Sequence, residues 1–134
     1  MSTRREARER ALSLCYEFEV RGLTAAELLE ELPAPPEEYA AALVRGVDAH
    51  REEVDAMLRK YSEHWALERM PVVDRAILRI GCYELGWEQD LPTAVVISEA
   101  VELAKEYSTK DSGRFVNGML ARIAEDLRAS GQTA

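Results

Sequence analysis

Four arginines stand within the first ten residues of a chain of 134 residues whose formal net charge is -8. If this segment is helical, Arg4, Arg5 and Arg8 lie within about 100 degrees of one another, beside the apolar stripe of the helix. Tyr16 lies next to the same arc, about 12 Å along the helix axis from Arg8. Guanidinium groups bind phosphate and aromatic rings stack on bases, and both contacts recur in the recognition of single-stranded nucleic acid. The spacing therefore predicts an exposed arc that contacts single-stranded nucleic acid.

The same residues also have an explanation that does not involve nucleic acid. Cations are disfavoured at the N-terminal end of a helix dipole, so helix formation itself gives no reason for the cluster. Glu6 and Glu9 stand among the arginines and could pair with them, and Tyr16 would then lie at the edge of the core. Residue types alone do not decide between an arc that binds nucleic acid and a solubilising N-terminus.

Other combinations of residues that could do chemistry are few. The two histidines, His50 and His64, have no recognisable nucleophile motif around them. His50 and Glu53 have the i, i+3 spacing of half a carboxylate and histidine metal site, but a dinuclear site needs that unit twice and it occurs once. The seven glycines are scattered singly, without a phosphate-binding loop or a dinucleotide fingerprint. We expect a protein that is not an enzyme, with no catalytic residues, no metal and no cofactor.

Size and composition favour one folded domain over residues 1–134, with 47% hydrophobic and 31% charged residues. No apolar run approaches the roughly 18 residues of a membrane span, and no apolar signal region follows the basic start, so we expect a cytoplasmic protein without membrane contact. Cys15 and Cys82 fall within apolar helical patterns, which predicts reduced core thiols. A pI near 4.9 argues against indiscriminate binding of polyanions, but it is compatible with a local basic patch.

Helical spacing of apolar residues recurs along nearly the whole chain, and strand patterns are almost absent. The pattern predicts an all-α fold of six or seven helices, at 3–20, 24–32, 37–61, 72–87, 92–107 and 112–128, with a turn or single short helix at 64–71. The helical patterns divide near the prolines at 33–36 and near residue 62. We therefore expect two packed three-helix subdomains, about 1–62 and about 63–134, that share one core.

Several local signals predict where these helices begin, and one predicts a close approach between two helices. Thr3 with Glu6, and Thr24 with Glu27, form capping boxes at the starts of the first two helices. Ser112 has the residue type of an N-cap for the last helix. Gly46, within the long third helix, leaves room for a neighbouring element to approach closely.

Four segments of the chain resemble the NusB family of bacterial transcription antitermination factors. They are "REARERALSLCYEFE" at 5–19, "VDRAILRIGCYEL" at 73–85, "LPTAVVISEAVELAKEYS" at 91–108 and "DSGRFVNGMLARI" at 111–123. The resemblance implies two packed three-helix bundles and a role without catalysis. It also implies binding to the boxA element of nascent ribosomal RNA transcripts together with NusE, a small-subunit ribosomal protein, within the antitermination complex of RNA polymerase.

The resemblance further implies where the contact residues lie. RNA contact in the family involves the arginine-rich N-terminus, a tyrosine of the first helix and the start of the last helix. The matching residues here are Arg4, Arg5, Arg8, Tyr16, Asp111 and Phe115. The acidic residues that family members present to the basic protein NusE match Glu68 and Asp74.

Some of these residues have a second interpretation. Asp111 could accept a hydrogen bond from a base amino group, or it could only stabilise the N-terminal end of its helix, and Asp74 could do the latter in its own helix. Phe115 fits a core position by spacing alone. The chain departs from the family pattern at Glu6, where the basic run is often continued, and at Ala121, where an acidic residue is common.

An alternative to RNA binding is a helical protein-interaction module, or a homodimer, without direct RNA contact. The acidic total charge favours this alternative, whereas the arginine arc and the four segments favour RNA binding. The sequence does not decide whether the chain is a monomer or a homodimer. If RNA is the ligand, we expect modest affinity for the chain alone and higher affinity with NusE, because two surfaces then share one strand.

Overall fold

The computed structural model describes residues 3–62 and 65–128. These residues form seven α-helices and one short 3₁₀ turn at Leu67–Arg69, and no strand occurs among them. The helices are α1 (Arg4–Arg21), α2 (Ala25–Glu31), α3 (Glu38–Ala49), α4 (Arg51–Tyr61), α5 (Val72–Trp87), α6 (Thr93–Tyr107) and α7 (Lys110–Arg128). The all-α prediction and the helix count are confirmed.

Both predicted capping boxes are present at the starts of α1 and α2. The Thr3 hydroxyl accepts a hydrogen bond from the Glu6 N–H at 3.1 Å, while the Glu6 carboxylate accepts one from the Thr3 N–H at 2.8 Å. The N-cap prediction for Ser112 is wrong, because α7 begins two residues earlier and the Thr109 hydroxyl accepts the Ser112 N–H at 3.1 Å. Ser112 thus lies inside the first turn, and its hydroxyl is available to another helix.

The long helix predicted at 37–61 is two helices, α3 and α4, which meet at His50. His50 has φ -107° and ψ 23°, outside regular helix geometry, and its ring stacks on Trp87 with 4.3 Å between ring centroids. No proline or glycine marks the break, and the apolar spacing continues across it. The break therefore coincides with a tertiary contact to α5 that the local pattern does not contain.

Two three-helix bundles are present, as predicted. Helices α1, α2 and α3 pack together, and α5, α6 and α7 pack together. Helix α4, which the sequence placed in the N-terminal half, packs against α5 and α7. The subdomain boundary near residue 62 stays an interpretation of the sequence.

Helix α5 lies at the centre of the fold and contacts α1, α3, α4, α6 and α7. Most of its residues are buried, including Leu78 and Leu85, and the apolar core is continuous between the two bundles. Gly46 of α3 lies directly against the ring of Tyr83, where a β-carbon would collide, so the close approach expected at this glycine is confirmed. Burial of this continuous apolar surface is the main source of stability of such a fold.

The last turn of α7 is tied to the end of α5 by a buried arginine. The Arg128 guanidinium donates to the carbonyls of Leu85 at 2.9 Å and Leu91 at 2.6 Å. Carbonyls at a helix end lack partners within the helix, so this arginine supplies donors for part of the α5 end. The contact fixes α7 against the central helix.

Cys15 and Cys82 are buried free thiols, as expected. Burial raises the pKa of each thiol to about 12, which keeps both protonated at neutral pH. Among the helices that the structure describes, none is long and apolar enough to cross a membrane.

Candidate nucleic-acid interface

Arg4 stands in the first turn of α1, where its side chain is exposed. Its guanidinium carbon lies 3.7 Å from the centroid of the Tyr39 ring of α3. A cation over the face of an aromatic ring is attracted by the ring quadrupole, and this contact restricts the side chain without using its hydrogen-bond donors. Arg4 is thus held in place and still able to bind an anion.

Arg5 is exposed over 56% of its side chain and forms a two-bond ion pair with Glu99 of α6. Its Nε lies 3.1 Å from Glu99 Oε1, and its Nη2 lies 2.7 Å from Glu99 Oε2. The hydrogen bond from Arg5 is the largest influence that lowers the pKa of Glu99 below its usual range. The guanidinium faces solvent, but a carboxylate already occupies one edge of it.

Arg8 departs from the predicted exposed arc, since it is buried with 3% of its surface accessible. Its Nε contacts both carboxylate oxygens of Glu84 in α5, at 3.1 and 3.0 Å. The physical reason is the width of the buried face: Leu12 and Cys15 lie on either side of Arg8 around the helix, about 40 and 20 degrees away, and both are buried. The arc of three exposed arginines is therefore reduced to Arg4 and Arg5.

The buried Arg8 belongs to a small network under the exposed Arg4. Glu84 accepts a short hydrogen bond from the Tyr39 hydroxyl as well as the bonds from Arg8. Burial raises the pKa of Glu84, while the charge of Arg8 acts in the opposite direction. Burial and the bond to Glu84 together raise the pKa of Tyr39. The network joins α1, α3 and α5 and fixes the ring on which Arg4 stacks.

A groove of about 470 Å³ lies between α1, the start of α5 and the end of α6. Tyr16 and Tyr107 line it, exposed over 43% and 47% of their surfaces, together with Leu12 and Val73. The Tyr107 hydroxyl donates to Glu9 Oε2 at 2.9 Å, which fixes the end of α6 against α1. Two exposed rings beside an apolar floor can stack with planar groups such as bases.

The start of α7 lies close to this groove. It begins three residues after Tyr107, and the Ser112 hydroxyl donates to Asp74 Oδ2 of α5 at 2.8 Å. Asp111 is exposed in the first turn of α7. The structure therefore brings the first and last predicted RNA-contacting segments to neighbouring positions, around the start of α5.

Phe115 lies one turn further along α7 and is half-buried. One side packs against the apolar core, while the ring meets Trp65 edge to face with 5.5 Å between centroids. Trp65 is itself 39% exposed. Phe115 is thus part of the core and part of a small aromatic surface.

The two acidic residues predicted to meet a protein partner have different environments. Glu68 is exposed in the 3₁₀ turn, and its carboxylate pairs with Arg59 at 2.9 Å, which lowers its pKa. Asp74 is only 1% exposed, so the expectation that it is presented at the surface is wrong. Its Oδ2 accepts a hydrogen bond from Ser112, and its Oδ1 is buried without a hydrogen-bond partner among residues 3–62 and 65–128. Asp74 is buried because the start of α7 packs over it.

Sequence reasoning missed two residues of this surface, Glu99 and Tyr107. Both lie on α6 and meet α1 residues that are more than 90 positions earlier in the chain. The acidic residue types opposite an arginine cluster could have suggested pairing, but the partner depends on how α6 packs against α1. Tyr107 has no distinguishing spacing in the sequence.

His50 and Glu53 have the spacing of half a metal site, and the sequence predicted that they hold no metal. Their Nδ1 and Oε2 atoms lie 3.4 Å apart. Among residues 3–62 and 65–128 there is no group of three or more histidine, cysteine, aspartate or glutamate side chains that could hold a metal ion. His64 falls outside the described residues.

These features define an all-helical protein of two packed three-helix bundles, with an arginine and tyrosine surface where α1, α5, α6 and α7 meet. The sequence model of the NusB family matches residues 5–125. The chain therefore belongs to the NusB family, and the resemblance in its four segments is confirmed.

Similar proteins of known name agree with this assignment. The transcription antitermination protein NusB of Saccharopolyspora erythraea is 51% identical over 131 residues, covering 92% of this chain and 88% of that protein. The protein of the same name from Myxococcus xanthus is 42% identical over 137 residues, covering 95% of this chain and 98% of that protein.

Solved structures show the same fold. A structure of T. maritima NusB has a TM-score of 0.84 at 37% identity, covering 93% of this chain and 92% of that chain. A crystal structure of the antitermination factors NusB and NusE in complex with dsRNA has a chain with a TM-score of 0.78 at 32% identity, covering 92% of this chain and 96% of that chain.

Proposed function

We propose that this protein is a non-enzymatic transcription antitermination factor that binds the boxA RNA of nascent ribosomal RNA transcripts together with NusE and joins the elongating RNA polymerase. It acts in the cytoplasm, where the transcript is made. The observation that carries the proposal is membership of the NusB family, matched over residues 5–125. The structure that pairs NusB and NusE with dsRNA supports both partners.

Within this function, Arg4 and Arg5 contact RNA phosphates, and Tyr16 stacks on a base. Both arginines are exposed, and Tyr16 faces an open groove, so all three can be reached by a strand. Phosphate contacts position the strand, whereas contacts to bases provide sequence preference. Arg8 acts as a positioning residue, because its buried bond to Glu84 supports the ring under Arg4.

Asp111 and Phe115 extend the RNA surface to the start of α7. The N–H of Ser112 is bonded to the Thr109 hydroxyl. The other N–H groups at the start of α7 favour an anion, so a phosphate can bind there, although the Asp111 carboxylate itself repels phosphate. Asp111 therefore contacts RNA by accepting a hydrogen bond from a base amino group. Phe115 and its neighbour Trp65 offer partly exposed rings for stacking.

Glu68 contributes to the NusE interface through its exposed carboxylate. An acidic surface steers the approach of a basic partner, and the net charge of -8 acts in the same direction. Asp74 contributes indirectly, because its bond to Ser112 holds α7 against α5. Affinity for RNA is modest for the chain alone and rises with NusE, since the two proteins share one strand.

The test is a fluorescence-anisotropy titration of boxA RNA onto the chain, with and without NusE. We expect the double variant Arg4→Ala with Arg5→Ala to weaken binding roughly tenfold or more, because it removes two charged donors to phosphate. Arg45→Ala is the matched control, since Arg45 is an exposed arginine of α3 outside the proposed surface. Unchanged binding by the double variant would contradict the assignment of these arginines.

The alternative function is a protein-interaction module or homodimer without direct RNA contact. It would be favoured if no complex with boxA RNA formed even in the presence of NusE. Analytical sedimentation of the same samples reports self-association and RNA binding together, so one measurement separates a dimer from an RNA-bound monomer.

A further inference from the structure

Glu99 occupies the position on Arg5 that a phosphate would take. Its two carboxylate oxygens meet Nε and Nη2 of Arg5 at 3.1 and 2.7 Å, along one edge of the guanidinium. Carboxylate and phosphate both bind this edge through two parallel hydrogen bonds. A strand that uses the same edge of Arg5 must first displace Glu99.

The surroundings of Arg5 add to this competition. Arg5, Arg8 and Lys105 share a pocket of about 280 Å³ with Glu99, Glu102 and Glu106. The three acidic residues equal the three basic ones in formal charge, so the pocket provides no net positive charge to attract a polyanion. Glu102 and Glu9 further raise the pKa of Arg5 by their charge, after the larger effect of Glu99.

Arg8 provides Glu99 with a second partner when Arg5 is withdrawn. The Nη1 of Arg8 lies 3.7 Å from Glu99 Oε1, while the Nε of Arg8 is bound to Glu84. The Glu99 side chain is only 18% exposed, and a carboxylate of this burial is costly to leave without a cation. Because Arg8 stays beside it, Glu99 can release Arg5 without becoming unpaired.

We propose that Glu99 is an internal competitor of RNA phosphate for Arg5, and that it lowers the affinity of the chain for any RNA until the strand is held by other contacts. RNA binding exchanges the Arg5 and Glu99 pair for an Arg5 and phosphate pair, and Glu99 stays with Arg8. This inference rests on the proposed RNA-binding function. It gives Glu99 a role in limiting the affinity of the chain for RNA of any sequence.

The experiment measures the affinity of the full chain for boxA RNA and for a scrambled RNA of the same length, with and without NusE. Glu99→Gln should tighten binding about two- to fivefold, the range expected for loss of one partly exposed ion pair. The gain should be equal for both RNAs, because a phosphate contact carries no sequence information. Glu52→Gln is the matched control, since it removes the same charge from an exposed position on α4.

A double-mutant cycle separates the pair from a general charge effect. In an Arg5→Ala background, Glu99→Gln should give no gain, because the competition needs both partners. An arginine side-chain NMR spectrum of the unsubstituted chain gives a second readout that needs no variant: the Nε–H signal of Arg5 should shift when RNA is added.

The outcomes are distinguishable. Affinity that is unchanged or weaker in Glu99→Gln, an equal gain in Glu52→Gln, or a gain that persists without Arg5 would overturn the role of Glu99 and leave the proposed function intact. An Arg5 Nε–H signal that does not shift on RNA binding would also overturn the role of Glu99 and leave the proposed function intact. Failure of the unsubstituted chain to bind boxA RNA even with NusE would overturn the proposed function and this inference together.

Discussion

Arg5 and Arg8 are one helical turn apart and have the same side chain, but their environments give them different tasks. Arg5 is mostly exposed and pairs with the partly exposed Glu99. Arg8 is enclosed and pairs with the buried Glu84. An exposed ion pair contributes little to stability, whereas removing one partner of a buried pair leaves an uncompensated charge. At the scale of single residues, Arg8 therefore belongs to the fold and Arg5 to the surface.

We expect Arg8→Ala to lower the free energy of unfolding by about 3 to 5 kcal/mol, because Glu84 would be left buried without its cation. Urea denaturation followed by circular dichroism measures the change. Arg5→Ala is the matched control and should unfold close to the unsubstituted chain. Similar unfolding of both variants would mean that the Arg8 and Glu84 pair has no structural role.

At the scale of helices, a second group of ion pairs joins α1, α4 and α5. Glu19 Oε1 of α1 accepts hydrogen bonds from Arg75 at 3.0 Å and from Arg79 at 2.8 Å, both on α5. Arg79 also binds both oxygens of Asp55 on α4, at 2.8 and 3.1 Å. One guanidinium thereby connects three helices, and bidentate geometry fixes their relative positions.

These pairs make stability depend on pH. Burial raises the pKa of Glu19, but the bonds and charges of Arg79 and Arg75 outweigh it, and the pKa of the folded state lies below the ordinary value of 4.5. The folded state then binds a proton less readily than the unfolded state, so the stabilisation is present above about pH 4.5 and is lost as the pH falls through the lowered pKa.

We expect Glu19→Gln to be less stable than the unsubstituted chain at neutral pH, and the difference between them to shrink below about pH 4.5. Urea titrations at a series of pH values measure it. Glu52→Gln, an exposed change on α4, controls for the loss of one negative charge. A difference that stays constant down to pH 3 would indicate that Glu19 is not stabilised by its arginines.

At the scale of the whole molecule, features that depend on residues close together in the sequence were easier to predict than features that depend on distant residues. The capping boxes at Thr3 and Thr24 depend on residues three positions apart, and both were predicted correctly. The burial of Arg8 could be predicted only from all positions around the helix. Leu12 and Cys15, on either side of Arg8, show how wide the buried face is.

Other errors come from contacts between distant parts of the chain. The break at His50 accompanies stacking on Trp87, and the burial of Asp74 follows from its bond to Ser112, 38 positions later. The pairing of Arg5 with Glu99 spans 94 positions. Such contacts depend on helix packing, which the apolar pattern of a single helix does not specify.

The response of RNA binding to salt depends on how many phosphates the exposed arginines neutralise, although the overall charge of the chain is -8. Two exposed arginines that each neutralise one phosphate of a single strand give a slope of log affinity against log salt of about -1.4 for the chain alone. Anisotropy titrations of boxA RNA between about 50 and 300 mM salt measure the slope, and replacing Arg4 and Arg5 by alanine should bring it close to zero. A slope steeper than about -4 would require several further phosphate contacts, and the RNA surface would then have to extend well beyond the first turn of α1.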